Sequence, residues 1–382
     1  MQEEKREALP SSNSERAMTA QAELFREFGD DIDSWAKKSF STTRQTVLIR
    51  SAQRGRADLV EFLLPRSDAS AIDIFHNNAL MSAAQAGSLE CVRILLPASD
   101  IAGKDIIGDT ALSIAAANGH AECMAELLSA SAPAAINKMG FSLLMQAAHG
   151  RDPECVRMAL AAGGDPRAAN KMGYTALMAV VGWHRQGWHQ DGDAGSNACL
   201  RLLLDAGADP LAQDKHGRSA LMEASRHQSP ECAKMLLGAS DMEARDENGN
   251  TPLILAARRG GLETLAAVLA LGDPLACNKK RQTPLGVAVA EDRFEHALMI
   301  FQKLRGDPRA AASEKALARI AAKAKAFENG AGAQAKPEAR EAAKILERGM
   351  AAWAEGLKID RRVEQPVASE SGGAKERRRP RL

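Results

Sequence analysis

The chain has 382 residues, 45% of them hydrophobic and 26% charged, with a formal net charge of +1. That composition suits a folded soluble protein and excludes disorder throughout; the near-zero charge excludes a global field that would steer it to nucleic acid or membrane. Aromatics make up 4%, with a single tyrosine, so small and aliphatic residues must build the core.

The N-terminal stretch MQEEKREALPSSNSER is charged and has no apolar h-region, so no signal peptide is expected. Residues 1–17 read as disordered. Over 18–38, Phe25, Phe28, Ile32 and Trp35 follow a 3-4-3 spacing, which predicts a short amphipathic helix placed to cap whatever follows. Segment 1–42 is therefore taken as a disordered stretch plus a capping helix. No run of 18 apolar residues exists to span a membrane.

From residue 43 the chain repeats itself. Eight segments share one pattern, anchored on Thr46, Asn78, Thr110, Ser142, Thr175, Ser219, Thr251 and Thr283, with steps of 32, 32, 32, 33, 44, 32 and 32 residues. Two residues past each anchor stands leucine: Leu48, Leu80, Leu112, Leu144, Leu177, Leu221, Leu253 and Leu285. Small pairs such as Ala83-Ala84 and Ala115-Ala116 follow, then apolar pairs such as Leu63-Leu64 and Leu95-Leu96. Before most anchors sits Asp/Asn-x-x-Gly, from Asp105 to Gly108, Asn137 to Gly140, Asn170 to Gly173, Asp214 to Gly217 and Asp246 to Gly249, a tight-turn signature. Each unit reads as turn, short helix, short helix, turn. The anchor hydroxyl is placed to cap the first helix, and Pro252 and Pro284 occupy first-turn positions that tolerate proline. One such unit cannot bury its apolar face alone, so stability must come from stacking on neighbours.

The 44-residue step carries an insertion, 182–197, in repeat five: GWHRQGWHQDGDAGSN. Three readings stand side by side: an exposed loop between two helices, a partner contact through Trp183 and Trp188, or a metal site using His184 and His189 with a carboxylate. Beyond residue 304, two more helices are expected within 305–358. Leu317, Ile320, Ala321, Ala324 and Phe327 share one face; Ile345, Leu346, Met350, Trp353 and Leu357 form a stripe on a helix started by Pro337. They either cap the last repeat or form a separate hairpin. The tail, 359–382, reads as disordered and ends in KERRRPRL. Its Lys375, Arg377, Arg378, Arg379 and Arg381 suit a solvated tail, a nucleic-acid contact or an arginine-rich C-terminal export signal.

The TPL-type anchor, paired alanines, glycine, apolar pair and Gly-Ala-Asp at this period resemble the ankyrin repeat family over about residues 43–304. The resemblance implies an all-α, ankyrin-type helical solenoid of about eight repeats with short β-turn fingers. It implies a non-catalytic scaffold for protein–protein interaction. The family's histidine after TPL is replaced here by Met81, Met145, Met178, Met222, Ile49 or Ile254, which implies loss of its bonds between fingers and less rigid fingers. Glycine at offset nine is replaced by Arg151, Gln228 and Asp292, making repeats four, six and eight the least typical.

Five cysteines, Cys91, Cys123, Cys155, Cys199 and Cys232, share one repeat offset. Equivalent positions in stacked helices lie roughly 10 Å apart, too far for a disulfide, so they are expected as buried core in a reducing compartment. In arrays of this family partners meet the finger tips and the exposed ends of the first helices. The residue just before each anchor is Asn77, Asp109, Phe141, Tyr174, Arg218, Asn250 and Gln282. Phe141 and Tyr174 thus occupy exposed-type positions in adjacent repeats. Around them stand Lys138, Met139, Lys171, Met172, Lys215 and His216 on fingers, and His149, Trp183, Arg226, His227, Arg258 and Arg259 at helix ends. The concave face of repeats four to seven is therefore the expected binding surface. Its partner is expected to be a protein, an acidic one suiting these bases, with nucleic acid confined to the basic tail and no membrane insertion. No nucleophile elbow, phosphate loop, dinucleotide fingerprint or His-Glu-x-x-His occurs, so no enzyme and no cofactor are expected. The alternatives are a secreted, host-targeting effector exported through its tail, or metal-dependent activity at 182–197. The expected location is cytoplasmic, with export by a signal-peptide-independent route as the alternative.

Overall fold

A computed structural model describes residues 45–131, 136–182, 192–227, 229–305, 321–327 and 337–363. The helix expected over 18–38, insertion residues 183–191 with both tryptophans and both histidines, Leu317 and Ile320, Gln228 and the basic tail lie outside the described residues.

Sixteen short helices follow the eight anchors in pairs. They are Val47–Gln53 with Ala57–Leu63, Ala79–Ala86 with Leu89–Leu95, Ala111–Ala117 with Ala121–Ala130, and Leu143–Gly150 with Pro153–Ala161. Then come Ala176–Gly182 with Gly192–Asp205, Ala220–Arg226 with Pro230–Leu237, Pro252–Arg259 with Leu262–Leu271, and Pro284–Ala290 with Phe294–Leu304. Every anchor caps its helix. Thr46 Oγ1 accepts from Ile49 N at 3.2 Å and Asn78 Oδ1 from Met81 N at 2.8 Å; Thr110, Ser142, Thr175, Ser219, Thr251 and Thr283 do the same one repeat after another. The side chains that replace the family's histidine thus point into the core, while their backbone N–H groups receive the cap.

The chain divides into two compact units between Gly272 and Asp273. In the first, each first helix packs on the first helix of the next repeat, and second helices pack likewise. The eight leucines two past the anchors are all buried, as are the alanine pairs that allow close approach. A single apolar cluster runs from Val47 to Leu236 and takes in all five in-register cysteines. They stand as thiols, not as disulfides, as the spacing requires; Cys277 is exposed. Repeat four lacks the offset-nine glycine, yet it keeps its helix pair, because Arg151 takes the left-handed conformation (φ 57°) that Gly55, Gly87 and Gly119 take elsewhere.

Repeat five departs from the loop reading of its insertion in one respect. Its second helix begins at Gly192 and runs 14 residues to Asp205, so 192–197 are helical rather than loop.

The second unit holds repeat eight and the C-terminal helices. Asp292 takes the left-handed conformation there in place of glycine. Residues 321–327 are helical, and Phe327 packs on Phe294 with ring centroids 4.4 Å apart. Lys323 Nζ donates to the Ala290 carbonyl at 2.8 Å and pairs with Asp292 at 3.1 Å. The last helix is Pro337–Val363, longer than its apolar stripe suggests, and Trp353 meets Phe301 edge-on at 5.6 Å. Its buried line is Ala342, Ala343, Leu346 and Met350. Ile345, expected on that line, is exposed, because Leu346 and Met350 at i, i+4 define the inner face and Ile345 lies beside it.

Candidate functional site

The fingers between repeats owe their shape to one side chain each. Asp73, Asp105, Asn137, Asn170, Asp214, Asp246 and Asn278 each accept, through Oδ1, from the backbone N–H two residues on and again from the one four residues on. A second Asp/Asn bond across the turn leaves the two residues in between pointing outward. The fourth position requires positive φ, which Gly108 and Gly140 supply and which His76 adopts in the first finger.

Neighbouring fingers are tied through their backbones. Ile106 N donates to Phe75 O at 3.0 Å, Lys138 N to Ile107 O at 2.9 Å, Lys215 N to Met172 O at 2.8 Å and Glu247 N to His216 O at 2.7 Å. These bonds link finger to finger although the family's histidine is missing.

The outward pairs change character along the array. They are Ile74-Phe75, Ile106-Ile107, Lys138-Met139, Lys171-Met172, Lys215-His216 and Glu247-Asn248. The second member of each of the first four is apolar and exposed, from 42% for Ile107 to 55% for Met139. Together with the first helices these fingers line a groove of about 720 Å³ that runs from repeat one to repeat six.

The groove collects Met139, Phe141, His149, Met172, Tyr174, His216 and Arg218 from the expected set. Lys138, Lys171 and Lys215 are exposed on the same fingers but do not line it. Arg226, Arg258 and Arg259 line a separate, smaller hollow of about 310 Å³ over repeats six and seven, which His216 and Arg218 also reach. His227 lines neither.

Phe141 and Tyr174 are half-buried, not exposed tips. Their ring centroids are 5.9 Å apart, and the Tyr174 hydroxyl donates to the Met178 carbonyl at 2.9 Å. Burial, reinforced by Glu223, pushes the Tyr174 phenol up. These two rings form part of the groove's floor, not its rim.

Five of the bases are engaged within the molecule. Arg218 pairs with Asp214 at 2.6 Å and with Glu223 at 2.9 Å; Arg226 and His227 also approach the buried Glu223, at 3.7 and 3.1 Å. His216 meets Glu247 at 2.8 Å, and Lys138 Nζ donates to the Ile106 carbonyl at 2.8 Å.

Sequence reasoning missed Phe75, Ile106 and Ile107, which line the same groove. Their register after Asp73 and Asp105 was the available signal. It also left Asp109 outside the site. That carboxylate is buried in the groove wall and accepts at Oδ1 from Asn137 Nδ2 (3.0 Å), Gln146 Nε2 (2.9 Å) and Ser113 Oγ (3.3 Å). Burial pushes its carboxyl up, and Asp105 pushes the same way, while the three neutral donors pull against both.

Family models place this architecture. Ankyrin repeats, in three copies, match residues 21–105, 99–170 and 144–246, and a further ankyrin repeat matches 248–279. The chain belongs to the ankyrin repeat family. No curated protein matches it. The crystal structure of the human ASB11 ankyrin repeat domain is 22% identical, with a TM-score of 0.50, over 60% of this chain and 99% of that one, a likeness of fold. As an ankyrin repeat protein the chain is in general terms a protein–protein interaction scaffold, and such modules are generally non-catalytic. No helix among the described residues is long and apolar enough to cross a membrane.

Proposed function

We propose that this ankyrin array binds its partner protein along the finger groove of repeats two to six, by apolar complementarity. The observation that supports this most is the recurrence of an exposed apolar side chain at one turn position in four consecutive fingers: Phe75, Ile107, Met139 and Met172. Exposed apolar residues scattered singly are ordinary. Four in register, on turns tied to one another or built alike, with a groove behind them, form a surface of the kind that marks binding. The reading overlaps the concave face of repeats four to seven expected from sequence and extends it toward the N-terminus. It lays less weight on an acidic partner, because Arg218, Arg226, His227 and His216 already face carboxylates of their own chain.

The test is affinity capture with the full chain, followed by titration of each recovered partner against an Ile107→Asp/Met139→Asp variant. We expect affinity to fall at least tenfold, while Arg259→Asp, outside the groove, changes it little. Unchanged affinity of the double variant would remove the groove from the interface.

A further inference from the structure

The groove holds one charged group that the fold does not account for. Asp109 is only 8% exposed, lies in the groove wall, and takes no cationic partner among the described residues. The other buried acids are explained locally. Asp214 and Glu223 are paired with arginine or histidine. Asp73 and Asp246 each hold two backbone N–H groups of their own turn. Asp109 does neither. It is the sole acid in the column that precedes the eight anchors. Its three side-chain donors, Ser113, Asn137 and Gln146, are neutral and converge on Oδ1. Among the described residues none donates to Oδ2.

A buried charge held by neutral donors alone favours any cation that can reach it. The walls here combine Ile107, Ile114, Met139 and Phe141 with the neutral polar side chains of Gln85, Asn118, Asn137 and Gln146. The acids lining this half of the groove are Asp73, Asp105 and Asp109, faced there by His149; Arg218 stands at the far end and is already paired. No group of three or more potential metal ligands occurs among the described residues, which leaves the cation to be carried by the occupant itself.

We propose that the occupant is an extended segment of a partner protein whose apolar side chains lie over Phe75, Ile107 and Met139 and which places one lysine or arginine on Asp109. The proposal rests on the groove being the binding surface, and it makes the segment's chemistry specific: apolar residues flanking a single base. The apolar fingers supply contact area, and the carboxylate supplies selectivity, since a segment lacking the base leaves Asp109 buried without a counter-charge.

A random peptide library displayed on phage is selected on the full chain, and the enriched peptides are synthesised and titrated against wild type, Asp109→Asn and Ile107→Asp. Asparagine keeps the shape and the acceptor at Oδ1, so circular dichroism and thermal unfolding of Asp109→Asn serve as the control for folding. We expect enriched peptides to share one lysine or arginine among apolar residues. We expect them to bind wild type at least tenfold more tightly than Asp109→Asn. Replacing the peptide's lysine by norleucine should cost the same factor on wild type and little on Asp109→Asn. Peptides without a base, or equal binding to wild type and Asp109→Asn with loss on Ile107→Asp, would overturn this inference and leave the groove reading standing. Binding untouched by Ile107→Asp, or no enrichment at all, would overturn both. Self-association of the chain that Asp109→Asn abolishes would make the occupant a second copy and overturn the assignment to a different protein.

Discussion

The hydroxyl of Tyr174 stands where a Cβ on Gly182 would be: the two would lie 2.7 Å apart. Gly182 ends the first helix of repeat five, and Tyr174 starts the same repeat's finger-to-helix junction. Alanine at 182 must therefore displace the phenol from the Met178 carbonyl. We expect Gly182→Ala to destabilise the protein by about 1–3 kcal/mol, the usual cost of overpacking. In a Tyr174→Phe background the clash is gone and the same change should be neutral or stabilising by up to about 1 kcal/mol, the helical preference for alanine. Urea unfolding of the four proteins reads the cycle; equal effects in both backgrounds would mean the contact is not as described.

Asp109 gives the stability a pH dependence. Its carboxyl titrates above the ordinary value of 3.8 in the folded chain. The folded state thus holds that proton more tightly than the unfolded one. The stability it contributes is fully present below 3.8 and is lost as pH rises through the higher folded value. Asparagine imitates the protonated acid. Asp109→Asn should accordingly unfold at a higher temperature than wild type at pH 7, with the gap closing as pH falls and absent below the unfolded value. A gap that widens on acidification would reverse the sign argued here.

The cysteines divide by burial. Burial pushes the Cys123 thiol up to about 11 and Cys199 up to about 12, and raises Cys91 and Cys155 as well. A neutral, buried thiol is a poor nucleophile. Iodoacetamide at pH 8 should label native protein once, at Cys277, and denatured protein six times, the full cysteine count of the chain. Mass spectrometry that finds a second native adduct would show that the packed column opens.

Leu144 and Leu211 differ in the same way. Leu144 is buried two past its anchor, whereas Leu211 is exposed beside a finger. Alanine at 144 should cost about 2–5 kcal/mol, and alanine at 211 within about 0.5 kcal/mol. Similar losses at both positions would contradict the repeat register.

The register was readable because it depends on local chemistry that recurs: a capping hydroxyl, a leucine two residues later, a small pair, an Asp or Asn that closes a turn. Each recurs at the same offset, so eight weak signals reinforce one another. What stayed hidden was set by pairs far apart in the chain. That Phe141 leans on Tyr174, or that Asn137 and Gln146 converge on Asp109, depends on how successive units stack, and a tip position looks the same in sequence whether its side chain lies over the groove floor or in water. Phe75 was obscured for a different reason. Its turn uses His76 in place of glycine, so the usual signature did not flag the finger, although Asp73 builds it in the same way.

Partner contact is proposed at the fingers of repeats two to six, and hydrogen–deuterium exchange of the full chain, free and with a bound partner or selected peptide, reads it residue by residue. Slowed exchange should concentrate in 73–77, 105–109, 137–141 and 170–174. Protection confined to the second helices, such as Pro153–Ala161 and Pro230–Leu237, or to Pro337–Val363, would contradict it.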